Sequence, residues 1–199
     1  VGLSPLQLVL VGTILEATAF AFEIPTGILA DVKSRKLSII IGYLLTGVAF
    51  VVDGSIATFA AVALSQVIWG IGYTFTSGAT QAWIADEVGE DRVDPAFMRG
   101  SQVARAGGLL AIPFSVAVGT INVRLPVVIG GLLFLALAGF LALAMSEEGF
   151  RPAPPGERST WRMMAGTVGE ARRLVARQPV LLALLGIGSL FTAIRNDIV

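Results

Sequence analysis

Two carboxylates interrupt the first long apolar stretch of the chain. Glu16 and Glu23 are seven residues apart, so a helix through this stretch presents both on one face, two turns apart. If the stretch crosses a membrane, even a low estimate puts the insertion of a central ionised side chain at about 2.5–3.5 kcal/mol. Glu16 must then be protonated, paired or exposed to a wet cavity, where it can bind a proton or a cationic substrate. The alternative for Glu16, and for Glu23 nearer the helix end, is a structural carboxyl hydrogen-bonded to a neighbouring helix.

A second group of charges follows the same stretch and mixes acid with base. Gly27 permits close approach of a neighbouring helix, and Asp31 ends the apolar stretch with a negative charge. Lys33, Arg35 and Lys36 then form a basic turn before the next apolar segment. A single basic loop is usually only a topology signal, whereas acids and bases at this spacing can pair with each other.

The elements that position these residues have a composition that fits lipid rather than water. Of 199 residues, 55% are hydrophobic and only 14% charged, which is too little charge to cover a soluble domain of this size. Backbone groups in lipid must be satisfied internally, and the apolar runs lack the alternation of barrel strands. The predicted fold class is therefore all-α, a polytopic bundle of transmembrane helices. Segments that span a bilayer core, or begin to, are Leu6–Leu29, Leu37–Ala57, Phe59–Ile84, Ser101–Val123, Pro126–Met145 and Val180–Val199.

Basic residues are distributed unequally between the loops. The loops Asp31–Lys36, Asp86–Arg99 and Glu147–Pro179 contain eleven of the fourteen Lys and Arg residues. The positive-inside rule therefore assigns these loops to the cytoplasm and Val1–Ser4 to the opposite side. The chain starts without an initiator Met, so we expect a segment before it. With Val1–Ser4 outside, that segment contains one earlier span if the intact protein starts in the cytoplasm.

The predicted organisation has three parts. Residues 1–146 form spans two to six of an N-terminal bundle, 147–179 form a cytoplasmic central linker, and 180–199 begin span seven. The missing C-terminal half of the same chain is the expected partner of this bundle. Apolar residues at helical spacing in the linker predict an amphipathic helix, which lies on the membrane surface or, alternatively, is a solvated connector. They are Trp161, Met164, Val168, Ala171 and Val175.

Several function classes are excluded by residues that the chain lacks. It has no cysteine and no histidine, which removes thiol chemistry, imidazole metal sites and Ser-His or Cys-His catalysis. It also has no Gly-rich loop followed by Lys and Ser or Thr, so it hydrolyses no nucleotide itself. The zero net charge gives no reason to expect nucleic acid as a partner. We therefore expect no enzyme, no metal and no cofactor.

Further polar residues lie inside the predicted spans. Arg105 lies about one turn into the fifth span, where it snorkels to the interface or contacts a substrate or carboxylate. In the fourth span, Gly70 and Thr74 belong to a ridge of small residues that continues to Gly78 and Ala82 at intervals of four. A second face of that span has aromatic and hydroxyl groups, including Tyr73 and Thr76, that either line a cavity for an amphipathic molecule or pack against neighbours.

The segment Phe22–Lys36 resembles the signature between the second and third spans of the major facilitator superfamily. That signature has Gly, three residues and Asp, followed by a basic loop. Val32 stands where a basic residue is usual, and Ser34 stands where Gly is usual. The stretch Glu23–Gly27 is similar to the multidrug- or macrolide-efflux-like branches of that superfamily. The residues that match the signature are Gly27, Asp31, Arg35 and Lys36.

The resemblance implies a secondary transporter that works by alternating access. In that superfamily the signature Asp and Arg hold the cytoplasmic side closed together with an acid at the end of the fourth span, which makes Asp31, Arg35 and Asp86 the expected gate. Alternatively, Asp86 belongs to a solvated acidic loop. The implied function is movement of a small molecule across the membrane, more specifically efflux of a drug-like or amphipathic compound. This efflux can be coupled to protons, which would make the protein an antiporter. The other reading is a non-transporting receptor or assembly factor on the same fold. The implied setting is the bilayer of a bacterial plasma (inner) membrane, crossed several times by a protein that is a monomer when intact.

Overall fold

The computed structural model describes residues 2–152. In that part of the chain the elements are α1 Pro5–Val32, α2 Arg35–Ser55, α3 Phe59–Thr76, α4 Ala79–Val88, α5 Glu90–Gly119 and α6 Leu125–Ala144. Their lengths and composition allow five membrane crossings, with α3 and α4 together making one of them. The predicted all-α, polytopic fold is confirmed. The central linker beyond residue 152 and the segment 180–199 lie outside the described residues.

Short polar side chains start the first three helices. Ser4 caps α1 by accepting from the Gln7 backbone N–H at 3.3 Å, and the Gln7 side chain accepts from the Ser4 N–H at 2.9 Å. Ser34 caps α2 through the Leu37 N–H at 2.9 Å, and Thr58 caps α3. Each cap satisfies a backbone donor that has no partner within its own helix. The starts of α1, α2 and α3 are therefore specified by residues that are close in the sequence.

The span predicted over Phe59–Ile84 is not a single helix. Ser77 and Gly78 interrupt it, and the second part, α4, extends to Val88. Gly78 has φ of 71°, a left-handed conformation that is unfavourable for residues with a Cβ. A Cβ on Gly78 would meet nothing within 4 Å, whereas one on Gly70 would lie 3.0 Å from Thr18 on α1. The predicted ridge of small residues therefore packs at Gly70 but not at Gly78.

The loop predicted over Asp86–Arg99 is instead mostly helical. Asp86 lies in the last turn of α4, and α5 begins at Glu90, directly after Gly89 at φ 80°. Charged residues at a membrane boundary end the apolar pattern without ending the helix, so the sequence pattern predicts a loop where the helix continues. A helix longer than the hydrocarbon core simply continues into the interface.

The helices approach each other through small residues. Cβ atoms added at Gly47 and Gly131 would each lie 2.8 Å from the carbonyl oxygen of the other glycine, so α2 and α6 meet backbone to backbone. Gly42 and Gly72 form a similar reciprocal pair between α2 and α3, with added Cβ atoms 2.7 and 2.8 Å from the opposite carbonyl oxygen. Many large apolar side chains face outward, as expected where the surrounding solvent is lipid. Close packing by small residues therefore sets which faces turn inward.

Candidate functional site

An ion pair joins the beginning of α2 to the end of α4. The Arg35 guanidinium pairs with the Asp86 carboxylate through its Nη1, which also donates to the Ala82 carbonyl at 3.0 Å. The two side chains are 16% and 26% exposed, so the pair is partly shielded from solvent. An Arg–carboxylate contact near the membrane interface is a modest attraction.

The chain after α6 runs back across this ion pair. We call Met145–Phe150 the strap. Its first residue, Met145, is only 7% exposed and packs in a small apolar cluster with Ala30 and Ile39. The Met145 carbonyl accepts from the Lys36 Nζ at 2.6 Å. The strap is therefore anchored to α2 by an apolar side chain and a charged donor at the same residue.

Glu147 in the strap binds the N-terminus of α2. Its Oε1 accepts from the Lys36 backbone N–H at 2.9 Å, and its Oε2 accepts from the Ser34 hydroxyl at 2.7 Å. The Lys36 N–H is one of the donors that a helix N-terminus leaves without a partner, and the helix dipole favours a negative charge there. Ser34, which replaces the glycine usual in the signature, thus serves both its own helix and the strap.

The other edge of the strap is bound to α4. The Trp83 indole N–H donates to the Ser146 carbonyl at 2.8 Å, and the Ser146 hydroxyl donates to the Glu87 Oε2 at 2.7 Å. The Glu87 Oε1 accepts from the Gly149 N–H at 2.8 Å. The Phe150 ring then lies over the Arg35 guanidinium, 5.9 Å from centroid to Cζ, within the range of a cation–π contact. The strap therefore bridges the two helices that the ion pair joins.

The end of α1 belongs to the same end of the bundle. Asp31 is half-buried in the last turn of α1, and Gly27 lies one turn earlier. Only Lys33 and Ser34 separate α1 from α2. The described parts of the loops that were predicted to be cytoplasmic thus come together at one end of the bundle. We call this end the cytoplasmic end, because the positive-inside rule assigns these loops to the cytoplasm.

A cavity of about 280 Å³ opens between α1 and α3, away from the cytoplasmic end. Glu16 lines it together with Trp69 and Tyr73, and Leu15 and Ala19 complete its walls. Two turns further along α1, Glu23 is half-buried and accepts from the Ser77 hydroxyl at 2.9 Å. The two carboxylates of the first apolar stretch therefore differ: Glu23 has a partner on the neighbouring helix, and Glu16 faces the cavity.

A second cavity, of about 400 Å³, lies among α2, α3, α5 and α6. Asp53, Gln66 and Trp69 are among its lining residues. Asp53 is in the last turn of α2, and the Ser65 hydroxyl lies 3.4 Å from its Oδ1. The predicted span Leu37–Ala57 includes Asp53, but the sequence predicts no role for it. Asp53 lies one turn after the buried Ala49 on the same helix.

The predicted site residues fall into three groups in the structure. Arg35, Lys36 and Asp86 meet under the strap, with Gly27 and Asp31 at the same end, and Glu16 and Tyr73 share the smaller cavity. Thr76 lies against Gly42 of α2, and its hydroxyl donates within its own helix to the Tyr73 carbonyl at 2.9 Å. Arg105 is exposed on α5, a helix without a buried residue in the described part of the chain. The sequence marks Ser34 only as a departure from the signature, and it predicts no site role for the other residues of this end. These are Trp83, Glu87, Ser146, Glu147 and Phe150.

Comparisons with known proteins agree with this architecture. The family model described as Major Facilitator Superfamily matches residues 1–196. The uncharacterized MFS-type transporter YxaM of Bacillus subtilis (strain 168) is 26% identical over 147 residues, which are 72% of this chain and 37% of that protein. This chain therefore corresponds to well under two thirds of that relative's length. Within residues 2–152, five helices are long and apolar enough to cross a membrane, and the family model matches almost every residue of the chain. The chain therefore belongs to the major facilitator superfamily and to an integral, multi-pass membrane protein.

Proposed function

We propose that the intact protein is a secondary transporter that moves a small molecule across the membrane by alternating access. The observation that carries this proposal is the Arg35–Asp86 ion pair, which joins α2 to α4 at the cytoplasmic end while the cavity at Glu16 stays open. A transporter of this kind closes one end of a central site at a time, and a breakable contact at one end serves that purpose. The Arg35–Asp86 pair is the gate in this proposal, with Asp31 as its third member.

The cargo that we propose is a drug-like or amphipathic compound that is exported from a bacterial cell. Apolar and aromatic side chains with a single carboxylate are a lining that suits such a molecule. Glu16 is also the residue that would carry a proton if export is coupled to proton entry. The stretch Glu23–Gly27 favours the multidrug- or macrolide-efflux-like branch, and the protein would act as a monomer in the plasma membrane.

The gate can be tested by measuring how fast a thiol placed at the cavity is labelled from the cytoplasmic face. The 199 residues contain no cysteine, so Ala19→Cys, in a full-length protein cleared of other cysteines, places one thiol at the cavity. Arg35→Gln removes the ion pair, and Lys33→Gln removes an exposed charge from the same turn as a matched control. Loss of a contact of about 1 kcal/mol changes the open fraction roughly fivefold. We expect Arg35→Gln, but not Lys33→Gln, to speed labelling by an impermeant maleimide from the cytoplasmic face and to slow transport. Equal labelling rates in the two variants would show that Arg35 is not part of the gate.

A receptor or assembly factor on the same fold would behave differently. Such a protein would bind its partner normally but drive no flux of any candidate substrate in vesicles with an imposed gradient. Measuring flux of several amphipathic compounds with the full-length protein therefore separates the two classes. Transport that depends on a gradient supports the proposal, and its absence for every compound, in a correctly folded protein, contradicts it.

A further inference from the structure

A third cavity, of about 430 Å³, lies between the end of α4 and the first turns of α5, at the cytoplasmic end. Two arginines line it from α5, Arg92 and Arg99. Because they are seven residues apart, they lie on one face of the helix, two turns and about 10 Å apart along its axis. Asp94, two residues after Arg92, lies on the other side of α5. The face of α5 at this cavity is therefore basic.

The two arginines have donors to offer to a ligand. Neither of them pairs with a carboxylate among the side chains that the structure describes. The Arg92 Nε donates to the Val88 carbonyl at 3.2 Å, which holds the side chain in place and leaves its two terminal nitrogens for another acceptor. Glu87 also lines the cavity, but its two oxygens already accept from Ser146 and Gly149 of the strap. The lining therefore has two guanidinium groups against one carboxylate that is already hydrogen-bonded.

The start of α5 lies at the level of the lipid headgroups. The 30 residues of α5 span about 45 Å, whereas the hydrocarbon core of a bilayer is about 30 Å thick. All charged residues of α5 except Arg105 precede Ser101, so the excess length lies at the start of the helix. The positive-inside rule assigns this end to the cytoplasm. Arg92 and Arg99 therefore lie near the phosphates of the cytoplasmic leaflet.

The same face of α5 continues into the membrane as an apolar surface. Val103 and Leu110 follow Arg99 by four and eleven residues, intervals that keep all three close to one face of a helix. The two apolar residues are 73% and 74% exposed. A ligand with an anionic head and an apolar tail matches this order of charge followed by apolar surface. A free anion would use only the charged part.

We infer that the cavity between α4 and α5 binds an anionic phospholipid of the cytoplasmic leaflet. Its phosphate lies between Arg92 and Arg99, and an acyl chain lies along Val103. Guanidinium groups form strong, charge-assisted hydrogen bonds to phosphate oxygens, and basic pockets between helices on the cytoplasmic side suit anionic headgroups. The volume of about 430 Å³ is enough for a phosphate with a small polar group such as glycerol. This site is separate from the cavity at Glu16 and does not depend on the proposed transport.

Native mass spectrometry of the purified full-length protein, titrated with phosphatidylglycerol in detergent, measures this binding without requiring transport. We expect Arg92→Gln and Arg99→Gln each to raise the dissociation constant of the first bound lipid roughly fivefold, which corresponds to about 1 kcal/mol. Arg151→Gln removes an exposed arginine at the same end but outside this cavity, and as the matched control it should leave the constant unchanged. Monodisperse elution of each variant shows that it has folded.

Two further ligands separate a phospholipid site from general attraction to a basic surface. Phosphatidylcholine with the same acyl chains has no net charge and should bind at least about fivefold more weakly than phosphatidylglycerol. Glycerol phosphate, the headgroup without acyl chains, should not displace the bound lipid at equal concentration. Displacement by glycerol phosphate would indicate a site for a soluble anion and would overturn the inference. Equal affinity for the two lipids, or equal weakening in Arg151→Gln and Arg99→Gln, would also overturn it.

Discussion

Replacing Glu147 by Gln is expected to release the strap from α2 while leaving the helices folded. In the structure the Glu147 carboxylate accepts two hydrogen bonds, from the Lys36 backbone N–H at 2.9 Å and the Ser34 hydroxyl at 2.7 Å. Glutamine has nearly the same shape but no charge, and one of its two terminal atoms is a donor that would face another donor. The substitution therefore changes the electrostatics of this contact with little change in volume.

The size of the effect follows from the two bonds that change. A hydrogen bond to a charged group contributes about 1 kcal/mol more than a neutral one, and the charge adds about 0.3–1 kcal/mol at a helix N-terminus. Glu147 is half-buried, so solvent reduces the sum, and we expect a loss of about 1–2 kcal/mol in the free energy of strap opening. Because 1.4 kcal/mol corresponds to a factor of ten, the open population should rise about 5- to 30-fold.

Hydrogen exchange at two backbone amides measures this opening directly. The Lys36 N–H bonds to Glu147 and the Gly149 N–H bonds to Glu87, so each amide reports one edge of the strap. In Glu147→Gln, exchange at both should accelerate by the factor given above, because exchange follows the local open population. Glu148→Gln, with its side chain exposed, is the control and should change neither amide. If the two variants exchange alike, the carboxylate does not hold the strap and the reasoning fails.

Three further changes test other parts of the structure. Gly131→Ala places a methyl group 2.8 Å from a backbone oxygen of α2. It should lower the free energy of unfolding by about 1–3 kcal/mol, measured by unfolding the protein in a detergent titration. Gly139→Ala, which has open space around its Cβ, is the control and should not lower it. Trp83→Phe removes the bond to the Ser146 carbonyl, worth about 1 kcal/mol, and should speed exchange across the strap; unchanged exchange would argue against that anchor. Asp31→Asn should slow transport at normal expression, and wild-type flux would exclude Asp31 from the gate.

Ser34 shows which contacts at the cytoplasmic end could be predicted from the sequence and which could not. The matching positions of the signature predict roles for Arg35 and Lys36, and Ser34 stands out only as the residue in place of the usual Gly. Its second role, donating to Glu147, was not predictable, because the two residues are 113 positions apart. Glu147 itself stood in a stretch that looked like the start of a linker, where charge is ordinary.

Membrane crossing and helicity were determined by the sequence alone. In lipid each backbone amide must bond within its own segment, so about twenty apolar residues suffice to specify a spanning helix wherever they occur. The distribution of Lys and Arg was sufficient to group the loops, and their described parts do come together at one end. Element ends were less well determined, as the break at Gly78 and the helical stretch after Asp86 show, because helices continue past the apolar core.

Which helix faces which, and therefore which side chains meet, was decided only by the tertiary structure. The pairing of Gly47 with Gly131 needs two small residues at matching heights on helices far apart in the chain, and no local pattern records that match. The same packing sets Trp69 and Tyr73 opposite Glu16 and leaves Glu23 bonded to Ser77. Two carboxylates that are equivalent in sequence differ in their surroundings, because close approach between helices depends on shape at every turn while helix formation depends only on the chain's own neighbours.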